Sequence, residues 1–184
     1  MRHFDRVETD RLVLRRWTDA DRDPFAALNA DPVVMEHFVA PLTRAESDAL
    51  VDRIEAAFDE HGWGLWAVEV PGAADCIGFI GLALQTFDAP FTPAVEVGWR
   101  LARAHWGLGF APEGARAALA LAFGDLGLDE VVSMTSVGNA KSRRVMEKIG
   151  MTRDPADDFE HSRVPIGHPI RPHVLYRISR PGQS

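Results

Sequence analysis

Val95-Glu-Val-Gly-Trp-Arg-Leu-Ala-Arg-Ala-His-Trp-Gly-Leu-Gly-Phe-Ala-Pro-Glu-Gly114 changes character twice within a short span. Its first part alternates as a strand does. Val95, Val97 and Trp99 point to one face; Glu96, Gly98 and Arg100 point to the other. Trp106, Gly107, Leu108, Gly109, Phe110 and Ala111 then read as a loop whose glycines free the backbone. Pro112 and Glu113 open a helix, because proline's missing N–H has no partner in a first helical turn anyway. Strand, glycine loop and helix start together aim backbone N–H groups and the positive end of a helix dipole at one point. That suits a phosphate or pyrophosphate.

Two phosphate loops do not fit. A mononucleotide P-loop needs Lys-Ser or Lys-Thr after its last glycine, and Phe110-Ala111 follow Gly109. A dinucleotide loop needs Gly-x-Gly-x-x-Gly, and Pro112 stands where the third glycine belongs. Taken alone, the residues also suit a turn before a core helix. What they resemble is the coenzyme A loop of the GNAT superfamily of N-acetyltransferases, Gln/Arg-x-x-Gly-x-Gly/Ala. Trp106 takes its first position, Gly109 its glycine and Ala111 its last. The longer pattern Trp-Gly-x-Gly-aromatic-Ala-x-Glu resembles the branch that includes the ribosomal-protein N-terminal (RimJ/RimL-like) acetyltransferases.

Working outward, residues 11–17 alternate as a first strand, and a short helix spans roughly 23–29 before Asp31-Pro32 breaks it. Thr43-Arg-Ala-Glu46 fits a capping box for a longer helix that Gly62 closes. Residues 65–70 and 76–84 are two strands joined through Pro71-Gly72. After the glycine loop, Ala111, Ala115, Ala118, Leu119, Ala122 and Leu126 make one helical stripe. A strand over 131–137, a helix after the N-cap candidate Asn139, and a last strand over 171–179 complete the chain. The order predicts a single α/β domain over 1–184, a mixed twisted sheet of about six or seven strands with helices on both faces. It matches the GNAT order, which implies a splay between the fourth and fifth strands, here 95–101 and 131–137. Parted strands leave N–H and C=O groups that must find partners, and an amide-rich pantetheine arm pairs with them like an added strand.

The resemblance implies a site, residue by residue. Backbone groups of Trp99, Arg100 and Leu101 would pair the pantetheine, N–H groups from Trp106 to Ala111 would hold the pyrophosphate, and a strand N–H near Val97 or Gly98 would polarise the thioester carbonyl. Asn139-Ala-Lys-Ser142 resembles the family's Asn-x-x-Ala/Ser segment, so Asn139 would bond the pantetheine and Ser142 would lie beside the sulfur. Many members carry a tyrosine acid where this chain has Met146, and a thioether cannot give up a proton. Ser142 is the proposed substitute. Structural readings stand beside these: Asn139 as a cap only, Ser142 as a surface residue.

Glu96 is the candidate general base, since an acceptor ammonium must lose a proton before it attacks. The alternative is a solvent-facing strand residue. Phe38 and Trp63 would line the acceptor pocket, and the 158–173 segment would pack over its mouth with His161 or His168 touching substrate. His161, His168 and His173 lack metal-ligand spacing and no cysteine accompanies them, so no metal is expected. Arg143 and Arg144 would reach the phosphates or stay solvated.

Bulk properties narrow the classes. A chain of 184 residues buries about 70% of its unfolded surface. The net charge of −7, with no long basic run, argues against nucleic-acid binding. Cys76 is the sole cysteine, which excludes an internal disulfide and points to a reducing, cytoplasmic setting. No apolar run is long enough for a signal peptide or a membrane span. The expectation is an enzyme that moves an acetyl group from acetyl-coenzyme A to a primary amine, on a peptide N-terminus or a small molecule, with a homodimer left open. The alternatives are a coenzyme A-binding sensor without turnover, supported only by Met146, and a phosphate-loop hydrolase, which lacks its lysine.

Overall fold

The computed structural model describes residues 3–182. Its strands are β1 (Arg6–Glu8), β2 (Val13–Arg15), β3 (Leu65–Glu69), β4 (Gly78–Gln85), β5 (Ala94–Leu101), β6 (Glu130–Ser136), β7 (Phe159–Glu160) and β8 (Pro172–Ser179). Its helices are α1 (Arg22–Ala30), α2 (Arg44–His61), α3 (Phe110–Phe123) and α4 (Ala140–Lys148). One sheet runs β1-β2-β3-β4-β5-β6-β8-β7. It exceeds the six or seven expected strands because β1 and β7 are only three and two residues long. Such strands are too short to show alternation. The pattern over 11–17 shrinks for a related reason, since only Val13–Arg15 finds partners on both sides.

Local chemistry sets the helix ends. Thr43 Oγ1 accepts the Glu46 N–H, and the Glu46 carboxylate accepts the Thr43 N–H. Gly62 ends α2 in the left-handed region at φ 79°. Helix α3 begins at Phe110, two residues earlier than the sequence suggests, with Gly109 at φ 84° as its N-cap. Pro112 is then the third helical residue, whose N–H would still lack an intrahelical acceptor. The stripe of Ala115, Ala118, Leu119 and Ala122 is buried against the sheet. Gly114 lets that helix sit close, for a Cβ there would lie 2.6 Å from Ile80 Cδ1. Trp17, Phe25, Phe58 and Trp66 fill the core. Each buried large apolar side chain contributes about 1.5–3 kcal/mol. Among the described residues no helix is long and apolar enough to cross a membrane.

Every neighbouring pair of strands is antiparallel except β5 and β6, which are parallel and joined at the single pair Glu96↔Val132. This is the expected splay. Ala102 N–H donates to the Ile77 carbonyl at 2.8 Å. By ladder alternation, even-numbered residues of β5 therefore bond to β4, and odd-numbered ones turn toward β6. Past Glu96, the peptide groups of Trp99 and Leu101 face the gap. On β6, Val137 N–H donates to the Pro172 carbonyl at 3.0 Å, so even-numbered Met134 and Ser136 face it from the other side.

Candidate active site

Glu96 sits where the two strands part. Gln85 Nε2 donates to its Oε2 at 2.7 Å, and the Met134 N–H, freed by the splay, also bonds its carboxylate. Burial nevertheless dominates and pushes the carboxyl up to about 7. The group is close to half ionised at neutral pH, where a base can both accept and release a proton.

Two cavities meet beside this residue. The first, about 300 Å³, is lined by Trp99, Leu101, Trp106, Gly107, Gly109, Phe110, Ala111, Asn139 and Ser142, with Arg100 also on its wall. Leu108 does not line it; its carbonyl accepts from Arg11 Nη1 at 2.9 Å. Gly107 and Gly109 have φ of 76° and 84°, which L side chains rarely adopt. Lys141, Arg144, Lys148 and His105 supply positive charge or donors at its edge. Arg143 instead turns toward β8, its Nε 3.4 Å from the Tyr176 hydroxyl. Lys141 and Lys148 carried no expected role in the sequence. Trp106 Nε1 donates to the Leu101 carbonyl at 2.7 Å, so that carbonyl is already engaged. The backbone of Arg100 is likewise turned to β4. Of the three strand residues expected to pair a pantetheine, Trp99 keeps both peptide groups at the gap and Leu101 keeps its N–H.

A latch that the sequence does not show holds the glycine loop. The Glu113 carboxylate accepts from Thr9 Oγ1 at 2.7 Å, from the Arg11 N–H at 3.0 Å and from Arg11 Nε at 2.7 Å. These bonds hold the Glu113 carboxyl low, against the opposing effect of burial, the largest single influence. In the sequence Glu113 shows as the closing acid of the loop pattern and as an acid in a first helical turn, and neither names Thr9 or Arg11 as its partners.

Asn139 both caps α4 and fixes Ser142. Its Oδ1 accepts the Ser142 N–H at 3.2 Å, and its Nδ2 donates to Thr135 Oγ1 at 2.9 Å and Ser142 Oγ at 3.1 Å. The Ser142 hydroxyl proton stays free, and Ser142 lines both cavities. Met146 is buried and lines the second.

The second cavity, also about 300 Å³, has Ala83, Gln85, Glu96, Gly98 and Arg100 on its floor. Phe38, His161, Val164, Ile170 and His173 enclose it. The 158–173 segment reaches this cavity through His161, Val164, Ile170 and His173, and is tied to β8 by β7 and its pairing Phe159↔His173. His161 stacks on Phe87 at 4.4 Å, and its Nδ1 accepts the Arg163 N–H at 3.2 Å. Burial, then the positive charges of neighbouring groups, lowers His161 to about 4, so the ring is neutral at pH 7. Burial lowers His173 as well.

Two expected contacts are corrected. His168 does not line the cavity, because its Nδ1 faces the Ile170 N–H at 3.3 Å within its own loop. Trp63 does not line it either; it follows the left-handed Gly62 and stacks on His61 at 5.4 Å. His37, absent from the sequence expectations, lines both cavities and sits 3.0 Å from Ser136 Oγ through Nδ1. It lies in a turn segment without periodicity, so no sequence signal marked it. Cys76 is mostly buried and its thiol is pushed up to about 11, which leaves no thiolate for covalent chemistry. Among the described residues no three His, Cys, Asp or Glu groups gather as a metal site.

A thioester laid along the β5 edge would bring its acyl carbon to the meeting point of the cavities, and this layout is that of an acyl-coenzyme A-dependent acyltransferase. Residues 11–152 match the family described as "Acetyltransferase (GNAT) domain"; the chain belongs to that family and is an acetyl-coenzyme A-dependent N-acetyltransferase. It is similar to the protein named YkkB of Bacillus subtilis, 31% identical over 147 residues, covering 79% of this chain and 84% of that one. It is also similar to the FsC-acetyl coenzyme A-N(2)-transacetylase of Aspergillus fumigatus, 32% identical over 161 residues, covering 79% and 64%. The crystal structure of the acetyltransferase from Agrobacterium tumefaciens superposes with a TM-score of 0.75 at 30% identity, covering 94% of this chain and 93% of that one.

Proposed function

We propose that this enzyme transfers the acetyl group directly to a primary amine, on a peptide N-terminus or a small molecule, with Glu96 as general base. The observation that carries the reading is the Glu96 carboxyl, raised to about 7 on the floor of the cavity that meets the coenzyme cavity. The pattern Trp106 to Glu113 supports placing the chain in the RimJ/RimL-like branch.

The N–H groups of the 106–111 loop and the first turn of α3 bind the pyrophosphate, with Lys141 and Arg144 beside it. The pantetheine pairs with the free Trp99 carbonyl and the free Leu101 N–H. Gly98 N–H is turned to β4, so Trp99 N–H, the first past the Glu96↔Val132 pair to face the gap, serves as oxyanion donor. The amine loses its proton to Glu96 and attacks the carbonyl. The tetrahedral adduct collapses, the carbon–sulfur bond breaks, the Ser142 O–H donates a hydrogen bond to the departing thiolate, and the surplus proton left on the nitrogen neutralises that thiolate, so that amide and free thiol leave. Phe38 and His161 contact the acceptor.

Incubation with acetyl-coenzyme A and a library of amines and peptides, read by mass spectrometry, tests this. The expected result is acetylated amine and one free thiol per acetyl group moved. Coenzyme binding without acetylation of any amine would sink the proposal.

A further inference from the structure

On the wall of the second cavity, Arg100 carries a charge that no carboxylate among the described residues balances. Its side chain leaves the floor of the second cavity, and its Nη1 donates to Asn29 Oδ1 at 2.7 Å. Phe38 and Phe79 cover the guanidinium at 4.1 and 5.4 Å. Asn29 is itself fixed, its Nδ2 donating to Ser47 Oγ at 2.9 Å in the core. Among the described residues the buried Nε–H has no partner and Nη2 makes no bond, so the Nε/Nη2 edge is unbonded. No carboxylate among the described residues pairs with Arg100, whereas Arg15, Arg16, Arg22 and Arg177 each have one or more. Burial lowers the guanidinium only to about 10, and it remains a cation at neutral pH. An unpaired buried cation is costly, and a fixed one with a vacant two-donor edge is a receptor for a planar oxyanion.

We propose that the acceptor is an amine that also carries a carboxylate, which docks on the Nε/Nη2 edge of Arg100. This rests on the transferase reading above. Of the other cation candidates on the cavity, His161 and His173 are lowered toward the neutral form and His37 is turned through Nδ1 to Ser136 Oγ, so Arg100 is the fixed positive charge and suits a carboxylate better than a phosphate dianion. The coenzyme phosphates have their own cations in Lys141, Arg144 and Lys148 on the first cavity. Gly98 lies between Glu96 and Arg100, and a Cβ there would meet nothing within 4 Å, so the floor is open between base and guanidinium. Two strand residues span about 7 Å, so an amine over Gly98 with its acid at Arg100 describes a short amino acid. A peptide N-terminus has an amide carbonyl where this acid would stand.

The test uses matched probes: glycine, β-alanine, γ-aminobutyrate, leucine and phenylalanine, each with its carboxamide and a peptide bearing the same N-terminal residue. Acetylation is followed by thiol release and mass spectrometry. The expected result is at least one acid acetylated with kcat/KM tenfold or more above its carboxamide. Arg100→Met should erase that preference with little change in KM for acetyl-coenzyme A, and Arg100→Lys should keep part of it. The wild-type comparison needs no variant to fold. If no probe turns over, calorimetry on the coenzyme A-loaded protein decides, and an acid that binds more tightly than its carboxamide supports the proposal. Equal kcat/KM or equal binding for acids and carboxamides would overturn it. So would Arg100→Met raising KM for acetyl-coenzyme A while leaving the acceptor ranking alone. Efficient acetylation of amines that lack an acid would overturn this proposal and leave the transferase reading standing, whereas coenzyme binding with no amine acetylated would bring down that reading itself.

Discussion

The base role proposed for Glu96 and its burial pull against each other, and both can be measured. As a base, its raised pKa predicts that kcat/KM climbs with pH and levels off above about 7. Glu96→Gln should lower kcat by about 10² to 10⁴ at neutral pH. The deficit should narrow at high pH, where the amine is already free; a constant deficit would make Glu96 an electrostatic positioner instead. As a buried acid, it costs stability. A carboxyl whose folded pKa lies above its unfolded value binds more protons folded, so its contribution to stability falls as pH rises from about 4.5 to about 7. Glu96→Gln should therefore raise Tm relative to wild type at pH 8, with the gap closing near pH 5. Ser142→Ala should lower kcat while leaving coenzyme A affinity near wild type, because its bond strengthens only as charge grows on sulfur. Glu96 was legible in the sequence because an acid interrupts an apolar strand just before a glycine loop. Arg100 was legible as a position but not as a charge. Alternation put it on the floor, while its isolation depends on Asn29, Phe38 and Phe79, which come from three other segments.

At the scale of elements, the Thr9–Arg11 latch makes the glycine loop depend on the start of the chain. Glu113→Ala should raise KM for acetyl-coenzyme A with little change in kcat, seen in steady-state kinetics with the acceptor saturating. Gly109→Ala should weaken coenzyme binding and also cost about 1–2 kcal/mol of stability for a left-handed non-glycine residue. Its new Cβ would stand 3.2 Å from Arg11 Nη2, so part of the loss would come through the latch. Calorimetry and thermal unfolding separate the two effects. The sequence yielded α2, α3 and α4 well, since caps and apolar stripes are local. It did not yield β1 or β7, which exist only because β2 and β8 offer them edges. Trp63 was expected at the pocket because the first two helices and their loops cover that end in the family, which does not say which side of α2 the ring reaches.

The whole molecule is a sheet opened on one seam. Hydrogen exchange should report it. The amides of Trp99 and Leu101 should exchange quickly in the free protein and slow on acetyl-coenzyme A binding, while the Arg100 amide, bonded within the antiparallel pair, is protected in both states. Unchanged rates would count against the thioester contact at Trp99 and the pantetheine pairing at Leu101. The meeting of two cavities around Ser142, Trp99 and Arg100 has a further consequence for the order of events. In the proposed reading each substrate has a chamber of its own, and among the described residues no cysteine lines either one to carry the acetyl group between visits. Initial-velocity plots at several fixed acceptor concentrations should therefore give intersecting lines, the pattern of a ternary complex, and not the parallel lines of a shuttle. Isotope exchange between acetyl-coenzyme A and labelled coenzyme A should stay silent until an acceptor is added.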